Sequence, residues 1–161
     1  MMEPFEITVT DQQDILDVGP EQLKGTVEHV LHAFDVTSAQ VSLAVVDNEQ
    51  IRPVKRDYFD MDEATDVISF DLSDQADERS DAASGRHLEC EILVNAQQAV
   101  NVAQQSGQDP LAELNLYVVH GLLHQLGYDD ATEQQAELMH RKEDQLLEQL
   151  GFGCVFYRKE T

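Results

Sequence analysis

Residues 118–130 carry side chains of the types that bind metal ions. His120 and His124 are four residues apart, so on a helix they lie one turn apart on the same face. Gly127 can adopt the left-handed conformation that ends a helix, and such a turn can bring Asp130 back toward the two imidazoles. Two nitrogens and one carboxylate oxygen leave the fourth position of a zinc ion for water, as in catalytic sites. The pattern H-x-x-x-H-x-x-G-x-x-D therefore predicts a single metal site formed by His120, His124 and Asp130.

Other interpretations of this segment stay open at the level of sequence. The two histidines could be buried and satisfied by hydrogen bonds, and His140 on the following helix is a rival third ligand. Two histidines and one carboxylate also suit a non-haem iron site in ligand type. A metallopeptidase of the HExxH kind is disfavoured, because Gly121 occupies the position of the catalytic glutamate.

The same segment resembles a known family signature. VVHGLLHQLGYDD is similar to the H-G-x-L-H-x-x-G-Y-D-H signature of the YbeY family of bacterial endoribonucleases. TDVISF at residues 65–70 resembles the T-D/N-V-L-S-F element of that family, and Met139, Glu143 and the following LLEQLG resemble its final helix. The resemblance covers about residues 41–152.

The resemblance implies a metal-dependent, single-strand-specific endoribonuclease that acts in rRNA processing and small ribosomal subunit maturation. It implies one YbeY-like hydrolase domain over residues 1–161, with ribosomal RNA and small-subunit ribosome components as partners. One zinc ion is expected on His120, His124 and Asp130. The family normally has His as the third ligand, so Asp130 makes another, harder divalent metal competitive. The alternative is a non-catalytic ribosome-assembly factor in which the metal is structural.

A second departure from the family pattern concerns phosphate binding. The family usually has an arginine directly after Tyr58, where this chain has Phe59. On a helix, Arg52, Lys55 and Arg56 share one face with Phe59, and Arg56 lies one turn before it. We therefore predict that Arg56 is the catalytic cation that neutralises the phosphate. The alternative is that these cations form only a solvated helix surface.

The remaining polar positions of the predicted site are less well defined. Thr65, Asp66 and Ser69 lie in the element that resembles the cleft wall of the family, where they are candidates to position the substrate or the metal ligands. No general base can be assigned from the sequence; Asp129, next to the ligand turn, and Glu113 are candidates without further support.

The hydrophobic pattern predicts the elements that must hold these residues. Alternating or continuous apolar runs indicate strands, and apolar residues at helical spacing indicate helices. Ile51, Val54 and Tyr58 are expected on the inner side of the second helix, and the segment 72–86 is expected to be a mobile loop. We predict an α+β domain in which a small mixed β-sheet packs with about five helices and the penultimate helix carries the metal site. The predicted strands are 5–10, 41–46, 66–70 and 88–94; the helices follow Pro20, begin near 48, and span 95–105, 110–126 and 131–150.

The charge limits how RNA can bind. The chain has 161 residues, with 10 Lys and Arg against 32 Asp and Glu, for a net charge of −22. Such a charge excludes an all-over basic surface and disfavours adhesion to anionic lipid, whereas screening over about 8 Å permits a local basic patch. We therefore expect weak affinity for free RNA with a shallow salt dependence.

The cysteines and the N-terminus bear on location. Cys90 and Cys154 are far apart and match no ligand spacing, and Cys90 is best explained as a small buried hydrophobe. The first residues lack a signal peptide, and no apolar run reaches the roughly 18 residues that span a bilayer. These features predict a cytoplasmic protein without a membrane partner.

Overall fold

Strands and helices alternate along the first part of the chain, and three helices close it. The computed structural model describes residues 4–72, 86–153 and Val155. The predicted loop at 72–86 lies, from residue 73 to 85, outside the described residues. Each predicted element is present in the described part, which has this order: β1 (Phe5–Asp11), α1 (Pro20–Ala33), β2 (Val36–Val46), α2 (Asn48–Phe59), β3 (Val67–Asp71), β4 (Arg86–Asn95), α3 (Ala96–Ser106), α4 (Pro110–Gln125) and α5 (Glu133–Gln149).

The four strands form one mixed sheet in the order β1-β2-β4-β3. β1, β2 and β4 are parallel, whereas β3 runs antiparallel to β4 and forms one edge. The two central strands bury side chains such as Leu43, Cys90 and Ile92 completely. The predicted α+β fold with a small mixed sheet is therefore confirmed.

One face of the sheet carries most of the helices, with α4 at the centre. Residues 112–119 of α4 are all buried, because α1, α3 and α5 surround this helix and the sheet lies beneath it. α2 packs on the opposite face, where Val46, Ile51, Ile68 and Leu93 form a second, smaller core. In the described part of the chain, no helix is long and apolar enough to cross a membrane.

The inner face of α2 differs from the prediction at one residue. Ile51 is fully buried as expected, but Tyr58 is 71% exposed and does not face inward. Because the second core is small, the last turn of α2 extends beyond it, and Asp60 ends the helix with a left-handed φ of 58°. The Tyr58 ring instead contacts Phe70 of β3 edge to face, with the ring centroids 5.2 Å apart.

Candidate metal centre

The C-terminal end of α4 is a Schellman turn that reverses the chain. The Gly127 N–H donates to the His124 carbonyl at 3.2 Å, and the Tyr128 N–H donates to the Leu123 carbonyl at 2.9 Å. Gly127 has φ +106°, a conformation that glycine adopts without steric cost. The turn therefore directs the residues after Tyr128 back along the histidine-bearing face of α4.

This reversal brings the three predicted ligands together. The Nε2 atoms of His120 and His124 lie 3.1 Å apart. The Asp130 Oδ2 atom lies 3.7 Å from each of them. In the described part of the chain, these three residues form the one group of metal-binding side chains whose ligand atoms all lie within 4.8 Å of one another.

The spacing of these atoms fits a metal ion. Tetrahedral zinc with Zn–N bonds of 2.0–2.1 Å holds neighbouring ligand atoms about 3.3 Å apart, close to the observed separations. The side chains of His120, His124 and Asp130 are 22%, 31% and 41% exposed, so the group opens to solvent on one side. The His-His-Asp group could therefore hold a metal ion with a coordination position accessible from outside.

Hydrogen bonds behind the rings fix which nitrogen faces this group. The His120 Nδ1–H donates to Glu143 Oε2 at 2.5 Å, and the His124 Nδ1–H donates to the Tyr128 carbonyl at 3.2 Å. With Nδ1 protonated in both rings, each Nε2 presents its lone pair to the centre. Glu143 of α5 is itself only 1% exposed, so it is a buried carboxylate held against the histidine.

Opposing effects act on the proton affinity of His120. Burial alone lowers the pKa of this histidine, because it penalises the charged ring. The hydrogen bond to Glu143 and the charges of Glu143, Asp66 and Asp130 act in the other direction and are together larger, so the pKa lies above its usual value. The surroundings of His120 are thus negatively charged, which favours the binding of a cation.

His140, the rival third ligand, occupies a different place. Its Nδ1 atom lies 2.9 Å from Glu143 Oε1, so the two histidines share the two oxygens of one carboxylate. His140 is not part of the His-His-Asp group. The structure therefore places it behind His120, where it supports the orientation of Glu143.

A small cleft of about 120 Å³ adjoins His120. Asp66 and Glu113 line it together with His140 and Glu143, whereas Asp129 lies outside it and accepts a hydrogen bond from the Asp130 N–H at 2.8 Å. Burial and the neighbouring Glu113 raise the pKa of Tyr117, which also lines the cleft. Asp66 and Glu113 are thus the candidate acid–base groups that line the cleft beside His120.

The predicted catalytic Arg56 is not in this cleft. Its Nε atom pairs with Asp57 at 3.2 Å, and its side chain is 51% exposed. It lines a larger cavity of about 750 Å³ beside α2, together with Arg52 and Asp62. The structure therefore brings the three ligands together but places Arg56 at a separate surface.

Ser69 and Thr65 connect the start of β3 to the centre in different ways. The Gln125 side-chain amide donates to Ser69 Oγ at 3.0 Å, which ties β3 to the residue that follows His124. The Thr65 hydroxyl lies 3.4 Å from Asp66 Oδ1, which also accepts from the Val67 N–H at 2.8 Å. These contacts hold Asp66 at the mouth of the cleft.

Gly121 packs directly against the sheet. A Cβ atom there would lie 3.0 Å from Ile92 Cγ2 and 3.2 Å from Val67 Cγ2. The residue after the first histidine therefore points toward the sheet, and a side chain there would have to displace Ile92 and Val67. The position that supplies the base in HExxH peptidases cannot supply one here.

Cys90 has no part in the site. It is fully buried in β4, as predicted, and burial together with the charge of Asp71 raises its pKa to about 12. A thiol with this pKa is not a nucleophile at neutral pH.

Sequence reasoning did not assign the roles of Glu143 and Tyr128. Glu143 occupies a position in the buried stripe of α5 that Met139, Leu146 and Leu147 otherwise fill. An acidic residue in an apolar stripe is the signal that could have identified it. The Tyr128 carbonyl has no such signal, because any residue provides the same group.

Comparison with known proteins shows the family of the chain. The family model of endoribonuclease YbeY matches residues 8–151. The chain is 35% identical over 145 residues to endoribonuclease YbeY of Salinibacter ruber, with 90% of both proteins covered. It is 29% identical over 148 residues to endoribonuclease YbeY of Bacillus mycoides, with 90% of this chain and 95% of the relative covered. The solution structure of TM1509 from Thermotoga maritima has the same fold, with a TM-score of 0.59 at 21% identity over 91% of this chain and 88% of that one. With the family model spanning nearly the whole chain, this protein belongs to the YbeY family of endoribonucleases.

Proposed function

We propose that this protein is a metal-dependent endoribonuclease that hydrolyses phosphodiester bonds in single-stranded RNA. The observation that carries the proposal is the convergence of His120 Nε2, His124 Nε2 and Asp130 Oδ2, which lie 3.1–3.7 Å from one another on partly exposed side chains. Family membership supports RNA as the substrate, because the relatives are named as endoribonucleases. Gly121, packed against the sheet, argues against a peptidase.

The ligands in this proposal are His120, His124 and Asp130, and the metal is zinc. When bound, zinc supplies a Lewis acid that polarises a phosphoryl oxygen or activates water. Glu143 keeps a proton on His120 Nδ1, so that Nε2 stays available as a ligand. Asp66 and Glu113 line the cleft, where a carboxylate can accept a proton from an attacking water.

Arg56 is proposed to neutralise charge on the phosphate backbone. Its ion pair with Asp57 is exposed, and such pairs contribute little stability, so a phosphate oxygen can replace Asp57 at small cost. We expect Arg56→Ala to lower kcat/KM for RNA cleavage. RNA binding and cleavage by Arg56→Ala equal to those of the wild type would show that Arg56 is not part of the site.

The biological substrate in this proposal is ribosomal RNA, and the context is processing and maturation of the small ribosomal subunit. Residues 1–161 would act as one hydrolase domain in the cytoplasm, together with small-subunit components. The resemblance of the HGLLHQLGYD segment to the family signature supports this part.

Metal content and cleavage measured on the same preparations test the proposal. We expect about one zinc per wild-type chain and a strongly reduced content in His124→Ala. A single-stranded RNA should be cut by the wild type, protected by a chelator, and cut again after zinc is restored. Loss of thermal stability on chelation without any RNA cleavage would instead indicate a non-catalytic assembly factor with a structural metal.

A matched pair of aspartates tests the third ligand. Asp130→Ala should lose metal, whereas Asp129→Asn keeps the oxygen that accepts from the Asp130 N–H and should retain it. Metal content of Asp130→Ala equal to that of the wild type would contradict the assignment. If the wild type and Asp129→Asn contain no zinc, the same measurement of metal content identifies the other metal that they hold.

A further inference from the structure

Three aromatic rings form a cluster where α2 meets β3, with two of them exposed and Phe70 half-buried. The Phe70 ring contacts Tyr58 edge to face at 5.2 Å and lies 5.8 Å from Phe59 at an interplanar angle of 30°. Tyr58 is 71% exposed and Phe59 is 44% exposed. We call these three residues the aromatic platform.

Cations adjoin the aromatic platform. The Lys55 Nζ atom lies 5.0 Å from the centroid of the Phe59 ring, a cation–π distance. Within the described residues, Lys55 makes no ion pair with a carboxylate. Arg52 and Arg56 lie on the same helix in exposed ion pairs. Three of the 10 Lys and Arg residues of the whole chain are therefore concentrated on α2.

The edge strand β3 links this platform to the metal centre. Ser69 contacts Gln125, which follows His124, on the α4 side of the strand. Phe70 is the next residue and points to the opposite face, toward α2. The platform and the residue that follows His124 therefore contact adjacent residues of the same edge strand, on its two faces. A single RNA strand that passes over this edge can reach both.

We propose that the aromatic platform stacks an unpaired base of the RNA substrate a few nucleotides from the scissile phosphate, while Lys55 contacts the backbone. This inference rests on the proposed function and adds how the protein would recognise the single-stranded RNA that it cleaves. Aromatic rings with adjacent cations bind single strands without sequence preference, because every base has a π-face. A strand held this way must be unpaired, so the platform would also select single-stranded RNA. Phe59 thus supplies stacking at the position where the family usually has an arginine.

The absence of tryptophan from the sequence gives a direct assay. Phe59→Trp retains a flat ring and introduces a single tryptophan at the platform, which can be excited selectively over the four tyrosines. We expect its fluorescence to be quenched when a single-stranded oligonucleotide is added in a His124→Ala background, which prevents cleavage. An oligonucleotide of the same length with abasic sites keeps the phosphates and should quench much less. Equal quenching by both would overturn the stacking proposal.

Loss of the rings should weaken binding to single strands. Phe59→Leu and Phe70→Leu keep apolar volume but remove the π-face, and we expect each to raise Kd and KM about 5- to 100-fold with a smaller effect on kcat. Ile15→Ala is the matched control, because Ile15 is 43% exposed and lies just after β1, the strand at the other edge of the sheet. Unchanged Kd in both leucine variants would overturn the proposal.

The outcomes separate this inference from the proposed function. Metal-dependent cleavage that is insensitive to Phe59→Leu and Phe70→Leu would leave the endoribonuclease assignment intact and reject the platform. Base-dependent quenching without metal-dependent cleavage would support the platform and reject the assignment. A change of oligomeric state in Phe59→Leu, measured by sedimentation, would indicate that a second copy of the chain covers the rings and would also reject the platform.

Discussion

The Glu143 side chain contacts the metal centre without being one of its three proposed ligands. Its Oε2 accepts a hydrogen bond from the His120 Nδ1–H at 2.5 Å, its other oxygen contacts His140, and it is 1% exposed. A buried carboxylate in this position orients the imidazole and makes its Nε2 atom a better donor to a metal. Its effect on activity must therefore pass through His120.

We predict that Glu143→Gln lowers metal affinity about 10- to 100-fold while the fold is kept. The amide preserves size and one acceptor oxygen, but it removes the negative charge and replaces the second acceptor with a donor. Metal affinity is measured by competition with a chromogenic chelator, and the fold by circular dichroism. Glu148→Gln, at an exposed position of the same helix, is the control. Equal metal affinities in the two variants would show that Glu143 is only a structural residue.

The turn after α4 determines whether Asp130 reaches the histidines. Gly127 adopts φ +106°, and its N–H and that of Tyr128 close the helix on the carbonyls of His124 and Leu123. The Tyr128 carbonyl in turn accepts from His124 Nδ1. The end of the helix and the orientation of the ring are thus parts of the same turn.

We predict that Gly127→Ala destabilises the protein by about 1–2 kcal/mol and weakens metal binding, because a Cβ atom disfavours this backbone conformation. Thermal unfolding with and without zinc measures both effects. Gly25→Ala is the matched control: Gly25 is exposed in α1, with no heavy atom within 4 Å of an added Cβ, so it should stabilise by about 0.5–1 kcal/mol. A Gly127→Ala protein as stable as the wild type would show that the turn tolerates a side chain.

The sequence predicted features formed by residues close together in the chain, but not those formed by the packing of distant elements. His120, His124, Gly127 and Asp130 lie within one helical stretch and one turn, so their spacing alone predicted that they converge. Glu143 reaches His120 only because α5 packs on α4, and sequence spacing does not specify that packing. The predicted orientation of Tyr58 was wrong for a similar reason. The core beneath α2 is small because of how the strands are arranged, and sequence spacing does not specify that arrangement.

The distribution of charge over the protein restricts where RNA can lie. Glu6, Glu89 and Glu91 project from the face of β1 and β4 that α4 does not cover, and Glu6 accepts from the Gln40 side chain of β2 at 2.9 Å. With a net charge of −22, this part of the sheet repels a phosphate backbone. The α2–β3 edge combines cations and exposed rings, and its strand β3 contacts Gln125, the residue after His124. The strand is therefore expected to bind along that edge and not across the open sheet.

This confinement predicts a shallow salt dependence of RNA binding. With about three cations in contact with phosphates, log Kd for a single strand should change with log salt concentration with a slope of about 2, which is a loss of about 20-fold in affinity between 50 and 200 mM salt. Binding of a fluorescent oligonucleotide to His124→Ala, which leaves the RNA uncut, measures the slope. Lys55→Gln should reduce it by about 0.7, whereas Lys24→Gln on α1, the helix that packs against β1 at the other edge, should not change it. A slope above about 4 would mean that cations beyond α2 contact the RNA, and the binding surface would then extend past the edge defined here.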